Sequence, residues 1–258
     1  MTQKPKVVAI IQARMGSARL MGKVLMDITG KPMLWHVVHR ASQSKLVDKV
    51  VIVTSTNKSD NLIVTFARTN DIPCFRGSED DVLDRYYQAA KWIRANVIVR
   101  ITADCPLIDP DVVDNVIKCY LGGDYGYVSN TAPPTFPDGL DTEVFSSEAL
   151  ERAWREAKWQ LEREHVTPYI RKHPELFRIG NVTYDEDLSA LRWTVDEPQD
   201  LDFVRAVYKH LGTAMFHMGD VLNLLKEHPE LTDLNAGIER NEGYQKSLRE
   251  DSLIERKQ

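Results

Sequence analysis

The sequence predicts an α/β protein with a mostly parallel central sheet and helices on both faces. Three short apolar runs, at residues 7–11, 49–54 and 96–102, indicate strands that are buried on both faces. Helical patterns separate these runs, with apolar residues recurring every three or four positions. This alternation is typical of parallel sheets, in which ligands bind beyond the carboxyl ends of the strands. The loops after the three strands are therefore the expected place for the chemistry.

The helices of the first half are predicted from their caps and from their apolar spacing. Pro32 suits the start of the first helix, residues 61–69 form a shorter helix, and residues 80–95 form an amphipathic one. Asp109 and Pro110 provide the cap and the first turn of a fourth helix. Each of these helices follows or precedes a predicted strand, as the connections of a parallel sheet require.

The second half of the chain is less regular, and residues 131–139 carry the prolines and the glycine of a loop. The elements expected around it are short strands near residues 143–145, 177–184 and 190–195, and helices at residues 147–173 and 199–211. We expect one domain over residues 1–235, with an inserted or lid-like lobe at roughly 130–188 of the kind through which oligomers form. Residues 236–258 are a charged C-terminal extension, expected as a peripheral helix or a partly disordered tail.

Composition limits the partners and the compartment. The 258 residues are 43% hydrophobic and 28% charged, with a net charge of -5, which argues against bulk attraction to nucleic acid or anionic lipid. The 3 cysteines form no CxxC pair, which argues against a disulfide scaffold or a structural zinc site. The first apolar run is too short for a signal peptide or a membrane span. We expect a cytoplasmic protein whose partner is a small anionic ligand, because local basic residues can form a pocket inside an acidic protein.

The most informative segment directly follows the first strand. Residues 12–23 hold the cations Arg14, Arg19 and Lys23 together with two glycines. Glycines let backbone amides approach an anion, arginine binds phosphate oxygens in pairs, and lysine adds a mobile charge. The segment contains neither the GxxxxGK[ST] of a Walker loop nor the GxGxxG of a dinucleotide site. Its position at the end of a buried strand favours a nucleotide triphosphate over the alternative, a solvated basic turn.

Two aspartates follow strand-like segments in a similar way. Asp104 comes just after the third strand and precedes Pro106, and Asp196 follows residues 190–195 and precedes Pro198. Two carboxylates at adjacent strand ends could share one Mg²⁺, an ion that takes carboxylates and substrate phosphates as ligands. Each aspartate alone could instead cap a helix. Their paired placement with a basic loop favours the metal site.

These segments together resemble the signature of the sugar-activating cytidylyltransferases, which include the CMP-KDO and CMP-acylneuraminate synthetases. Residues 11–25 and 30–33 carry the resemblance, which extends over about the first 210 residues. Similarity to the branch called spore coat polysaccharide biosynthesis protein F lies at residues 75–85, 102–107, 138–145 and 163–168. The resemblance implies the Rossmann-like fold of the nucleotide-diphospho-sugar transferases, with a smaller lobe that forms a homodimer.

The resemblance also implies roles for individual residues. The residues expected to bind CTP are Ala13, Arg14, Gly16, Ser17, Arg19, Lys23, Arg76, Ser78, Asp81 and Arg85. It places Mg²⁺ on Asp104 and Asp196, and the acceptor near Asp141, Glu143 and His165. The residues expected to be catalytic are Arg14, Lys23, Asp104 and Asp196.

The implied activity is the transfer of CMP from CTP to a sugar acid, with release of pyrophosphate, in cell-surface polysaccharide biosynthesis. Two alternatives stay open: a metal-dependent glycosyltransferase of similar fold, and a non-catalytic nucleotide-binding protein on this fold. A glycosyltransferase would not need several phosphate-binding cations in the loop after the first strand. A non-catalytic protein would be expected to have lost Lys23, Asp104 or Asp196. Met21 stands where the family usually has proline. Residues 102–106 replace the Gln-Gly-Asp-Glu-Pro of the CMP-KDO enzymes, which leaves the acceptor open.

Overall fold

A mixed sheet of seven strands forms the centre of the protein within residues 4–238, 240 and 242–254, which the computed structural model describes. The strands are β1 (Val7–Gln12), β2 (Asp27–Ile28), β3 (Lys31–Pro32), β4 (Lys49–Ser55), β5 (Cys74–Gly77), β6 (Val97–Thr102), β7 (Tyr127–Ser129), β8 (Glu143–Ser146) and β9 (Ile179–Asn181). The central sheet has the order β5-β4-β1-β6-β8-β7-β9, and β2 pairs only with β3. Strands β5, β4, β1 and β6 are parallel, whereas β8 runs antiparallel to both of its neighbours.

Helices cover both faces of this sheet. They are α1 (Met33–Ala41), α2 (Asn61–Thr69), α3 (Val82–Ile93), α4 (Pro110–Gly122), α5 (Ser147–Glu156), α6 (Gln160–His165), α7 (Pro168–Lys172), α8 (Pro198–Leu211), α9 (Met218–Glu227) and α10 (Glu242–Arg249). Short 3₁₀ turns lie at Lys23–Leu25, Lys58–Asp60 and Pro229–Asn235. None of the helices in the described part of the chain has the length and apolar character needed to cross a membrane.

The two faces of the sheet carry separate apolar cores. Along β1, Val7, Ala9 and Ile11 pack into one core with residues of α1, α4 and α8. Val8 and Ile10 point the other way and pack with residues of α3 and α5. Because helices bury both faces of β1, its apolar run is continuous, as the sequence pattern predicted for a strand of a parallel sheet.

The predicted α/β class, with a mostly parallel sheet covered on both faces, is confirmed. The strands predicted in the first half are β1, β4 and β6, and the predicted helices are α1 to α4. The bounds predicted for these strands and for α2 and α3 differ from the observed bounds by at most two residues. Asp109 caps α4 as predicted, because its carboxylate accepts a hydrogen bond from the Asp111 amide at 2.8 Å. In the second half, the predicted loop at 131–139 is observed, and the strand predicted at 177–184 is shorter, with only β9 formed.

The strand predicted at residues 190–195 is wrong. This segment is extended, but its backbone bonds to two different loops instead of to a strand. The Trp193 amide donates to the Asp138 carbonyl at 2.6 Å, and the Val195 amide donates to the Asp104 carbonyl at 2.8 Å. Trp193 and Val195 are both buried, which explains the strand-like apolar pattern. Because the backbone of this segment changes its hydrogen-bond partner within a few residues, it forms one isolated β-bridge, between Arg192 and Asp138, and not a continuous strand.

The segment predicted as a lobe, residues 130–188, contributes β8 and β9 to the central sheet. Its helices α5 and α6 pack against α3. Within the predicted C-terminal extension, the structure contains α10, and the helix reaches back to α6. Parts of the predicted domain and of the extension lie outside the described residues, namely residues 1–3, 239, 241 and 255–258.

A buried aspartate joins the loop after β1 to the end of β4. Asp60 is 1% exposed, and its carboxylate accepts from the Met15 amide at 2.8 Å, from the Thr54 hydroxyl at 3.0 Å and from the Ser55 amide at 3.1 Å. Burial opposes the charged form of Asp60, but these hydrogen bonds outweigh it and lower the pKa of the carboxyl group. The ionised carboxylate therefore fixes the basic loop against the sheet.

We predict that Asp60→Ala lowers the free energy of unfolding by about 2–4 kcal/mol, because it leaves several buried donors without an acceptor. Urea unfolding followed by circular dichroism measures this change. Asp124→Ala, at an exposed position, is the matched control and should shift stability by no more than about 0.5 kcal/mol. Equal stability of the two variants would contradict a structural role for Asp60.

Candidate functional site

A cavity of about 970 Å³ opens at the carboxyl ends of β1 and β6. Its walls come from the loop after β1, the loop after β6, the segment before α8, helix α6 and helix α10. The predicted site residues that line it are Ala13, Arg14, Ser17, Arg19, Lys23, Asp104, His165 and Asp196. This is the edge of an α/β sheet at which ligands bind.

The first loop folds back on itself and directs a lysine into the cavity. The Met15 carbonyl accepts from the amides of Ser17 and Gly22, both at 3.0 Å. Gly22 has a φ of +70°, a left-handed conformation that favours glycine, and the 3₁₀ turn begins directly after it. Lys23 is the first residue of that turn, and its side chain is buried in the site. Gly16 lies at an exposed point of the same loop and does not line the cavity.

The Lys23 ammonium lies between the two predicted metal ligands. Its Nζ donates to Asp104 Oδ2 at 2.9 Å, to Asp196 Oδ1 at 2.8 Å and to the Val195 carbonyl at 2.7 Å. Burial opposes the charge on Lys23, but the carboxylates of Asp104 and Asp196 outweigh it and raise the lysine pKa. The same ion pair overcomes burial at Asp104 and lowers its pKa. Lys23 and Asp104 are therefore both charged at neutral pH.

Asp196 is held from the opposite side by Arg192, which was not among the residues predicted from the sequence. Arg192 contacts Asp196 and Asp138 at 3.2 Å each, and its Nε donates to Asp200 at 2.8 Å. Asp200 also accepts from the Asp196 amide at 2.9 Å, at the start of α8. Arg192 is buried in the structure. The one signal for its role in the sequence was a charged residue inside the apolar segment 190–195.

The two predicted metal ligands suit a cation. Asp104 and Asp196 direct one carboxylate oxygen each at the same Lys23 ammonium, so their negative charges converge on one point. Carboxylate oxygens, completed by substrate phosphates and water, are the ligands that Mg²⁺ takes in proteins. The donor set therefore fits a magnesium ion.

The remaining cations of the first loop differ in how they are paired. Arg19 contacts Asp196 at 3.0 Å and Glu242 of α10 at 2.8 Å. Arg14 is exposed, and no hydrogen bond or ion pair joins its side chain to any residue that the structure describes. Arg14 is thus the cation of this loop whose charge no described carboxylate neutralises.

Three residues predicted to bind the nucleotide have structural contacts and do not line the cavity. The Arg76 guanidinium donates to the Ser55 carbonyl at 2.9 Å. The Ser78 hydroxyl accepts from the Asp81 amide at 3.0 Å, and Asp81 caps α3 and forms an ion pair with Arg163. These residues build the turn between β5 and α3, which explains the density of polar residues there without a ligand.

Arg85 is the fourth predicted residue of that segment, and it is buried in α3. Its side chain is 2% exposed, packs against Gly77 and does not line the cavity. Its Nε has no hydrogen-bond partner among the described residues, and burial lowers the arginine pKa. Arg85 therefore carries a charge that the described part of the chain leaves incompletely satisfied.

Glu143 contacts other residues of the fold instead of lining the cavity. It accepts from the Tyr127 hydroxyl and the Thr167 hydroxyl at 2.6 Å each and forms an ion pair with Arg100. Burial opposes its charge, but Arg100 and these hydrogen bonds outweigh it and lower the Glu143 pKa to about 2. Arg100 in turn donates to Gln12, which lines the cavity, so Glu143 acts on the site through two other side chains.

The other two predicted acceptor residues differ in their exposure to the cavity. His165 lines it, and its buried Nε2 has no hydrogen-bond partner among the described residues. Burial, together with the positive charges of Arg100 and Arg171, lowers the His165 pKa to about 4, so the ring is neutral at pH 7. Asp141 does not line the cavity and pairs with Arg240 at 2.6 Å.

Comparison with known proteins finds relatives over most of the chain. The sequence profile of the family described as Cytidylyltransferase matches residues 8–240. The chain is 36% identical over 247 residues to an uncharacterized protein of Methanocaldococcus jannaschii, covering 95% of this chain and 98% of that one. It is 34% identical over 234 residues to spore coat polysaccharide biosynthesis protein SpsF of Bacillus subtilis, covering 87% and 95%. A solved cytidylyltransferase from Leptospira borgpetersenii superimposes with a TM-score of 0.86 at 31% identity, covering 92% of this chain and 100% of that one.

We predict that Glu143→Gln lowers stability most at neutral pH. The Glu143 pKa is about 2 in the folded protein and 4.5 ordinarily, so the carboxylate stabilises the fold above about pH 4.5. This contribution is lost as the pH falls towards about 2, and the difference between the natural protein and the variant should shrink accordingly. Urea unfolding at a series of pH values measures it, with Glu175→Gln at an exposed position as the control. A constant difference across that range would contradict the prediction.

Proposed function

This chain belongs to the cytidylyltransferase family, and on that premise we propose that it transfers CMP from CTP to a sugar acid, releasing pyrophosphate. The observation that carries the proposal is the convergence of Lys23 with Asp104 and Asp196 in a large cavity. We further propose a role in cell-surface polysaccharide synthesis, which the similarity to spore coat polysaccharide biosynthesis protein SpsF supports. We also propose that the protein is cytoplasmic and that it forms a homodimer through residues 130–188.

In the proposed reaction, a hydroxyl oxygen of the acceptor attacks the α-phosphorus of CTP. A new oxygen–phosphorus bond forms, the hydroxyl proton passes to solvent, the bond between the α-phosphorus and the bridging oxygen breaks, and pyrophosphate leaves with the electron pair. Negative charge then grows on the leaving group, and Arg14, Arg19 and Lys23 are the cations that can stabilise it. The protein contributes mainly position and electric field. In the tautomer that carries its proton on Nδ1, the neutral His165 ring can accept a hydrogen bond from the acceptor hydroxyl at Nε2 and orient it.

Asp104 and Asp196 are the proposed magnesium ligands. The ion, when bound, would neutralise part of the triphosphate charge and polarise the phosphorus–oxygen bonds. Asp196 is positioned before any ligand arrives, because Arg192 holds its second carboxylate oxygen, the one that does not contact Lys23. Such preorganisation lowers the reorganisation needed in the transition state.

We expect CTP with Mg²⁺ to stabilise the protein against thermal unfolding more than GTP or UTP does. Ligands that bind only the folded state raise its melting temperature. Thermal-shift measurements with each nucleotide, with and without Mg²⁺, test the nucleotide. Pyrophosphate release across a panel of eight-carbon and nine-carbon keto sugar acids then tests the acceptor. A CTP-dependent shift without turnover on any acceptor would favour the non-catalytic alternative.

Lys23→Ala should lower kcat by about 100-fold or more, corresponding to the roughly 3 kcal/mol that one lost transition-state donor costs. The measurement is pyrophosphate release from CTP with the acceptor found in the panel. Lys226→Ala, an exposed lysine in α9, is the control and should retain the natural rate. Turnover of Lys23→Ala within a few-fold of the natural protein would remove Lys23 from the proposed mechanism.

A further inference from the structure

The C-terminal part of the chain forms one wall of the candidate site. Residues 242–254, which we call the strap, comprise α10 and the segment after it. Side chains of the strap line the same cavity as Lys23 and Asp104. The sequence predicted a peripheral helix or a partly disordered tail here, because the polar pattern of α10 does not indicate which part of the fold the helix contacts.

The end of the strap is fastened to the segment that connects α5 and α6. The Ile254 amide donates to the Lys158 carbonyl at 2.8 Å, and the Gln160 amide donates to the Ser252 carbonyl at 2.9 Å. The Leu161 amide donates to the Asp251 carboxylate at 2.9 Å. These bonds are polar and lie at the end of the strap, so they fix its register without burying much apolar surface.

The middle of the strap covers the histidine of the cavity. The Tyr244 ring meets the His165 ring edge-on, with 5.0 Å between ring centroids. The Ser247 hydroxyl donates to the Glu164 carboxylate at 3.3 Å. The strap therefore lies over α6, on the side of the cavity where His165 is exposed to a ligand.

The first residue of the strap contacts a cation that the proposed function assigns to the triphosphate. Glu242 accepts from the Arg19 guanidinium at 2.8 Å. Arg19 also contacts Asp196 and Glu197, at 3.0 and 3.5 Å. Carboxylate and phosphate oxygens bind a guanidinium in the same way. Glu242 therefore occupies one donor of Arg19, the Nη1 group, that a phosphate oxygen could otherwise accept from.

The strap is held weakly compared with the rest of the fold. Its apolar side chains remain largely in water, with Leu248, Leu253 and Ile254 exposed by 45%, 61% and 41%. The Glu242 side chain is 62% exposed, and ion pairs between exposed groups contribute little to stability. Segments with few buried apolar contacts open locally without unfolding of the core.

We propose that the strap is an autoinhibitory latch: residues 242–254 close over the empty cavity, and Glu242 competes with the triphosphate for Arg19. The inference rests on the proposed function, because it takes Arg19 as a phosphate ligand. Nucleotide binding then requires the Arg19–Glu242 contact to break. The apparent affinity is reduced by the fraction of molecules in which the strap is closed.

Titration calorimetry with CTP and Mg²⁺ on the full chain tests the latch. Glu242→Ala should bind CTP about three- to tenfold more tightly than the natural protein, because the closed fraction falls. Glu227→Ala, which removes the same charge from an exposed position in α9, is the matched control and should bind as the natural protein does. Binding by Glu242→Ala that is unchanged or weaker overturns the latch.

Hydrogen exchange provides an independent readout on the natural protein. Addition of CTP and Mg²⁺ should increase amide exchange in residues 242–254, since the strap leaves the cavity. Protection of these amides by CTP would overturn the latch, because the strap would then close on the ligand.

Tighter CTP binding by Glu242→Ala without pyrophosphate release on any acceptor would support the latch and contradict the proposed function. If neither protein binds CTP, both proposals fail.

Discussion

One ammonium group determines how three separate parts of the chain meet. Lys23 comes from the loop after β1, Asp104 from the loop after β6, and Asp196 from the segment before α8. The nitrogen lies 2.9 and 2.8 Å from the two carboxylates. A buried charge is tolerated only where opposite charges and hydrogen bonds surround it, so the three segments are confined to positions that satisfy this lysine. The cavity is the space that their convergence leaves.

Two further buried networks hold these loops from behind. Asp60 binds the backbone of the first loop at Met15, and Arg192 binds Asp196 together with Asp138 and Asp200. Neither Asp60 nor Arg192 lines the cavity. Functional side chains keep a defined geometry only when a second set of residues fixes them. The structure thus separates the groups that face a ligand from the groups that keep them in place.

The strands and helices of the first half of the chain, and the central charged residues of the site, could be predicted from the sequence. The strands β1, β4 and β6 are continuous apolar runs because helices cover both faces, and that local pattern is visible without a structure. Lys23 and Asp104 could be found because strand ends bring loops together at one edge of a sheet. The segment 190–195 was misjudged, since burial of alternate residues looks the same whether the backbone pairs with a strand or with loops.

Long-range polar contacts could not be predicted in the same way. Asp81 is a helix cap paired with Arg163, and nothing in the local sequence connects residues so far apart. Helix α10 contacts the first loop through Glu242 and Arg19, which lie more than two hundred residues apart in the chain. Such pairs follow from the completed fold and not from the pattern of one element.

The exposed charge of Arg14 affects how fast a ligand reaches the cavity. Its side chain is exposed, and it makes no ion pair with any residue that the structure describes, unlike Arg19 and Lys23. An unneutralised charge at the rim of a cleft attracts oppositely charged molecules over distances of about a Debye length, roughly 8 Å at physiological salt. Its main effect is therefore on how often an anionic ligand is captured from solution, an encounter rate that falls as ionic strength increases.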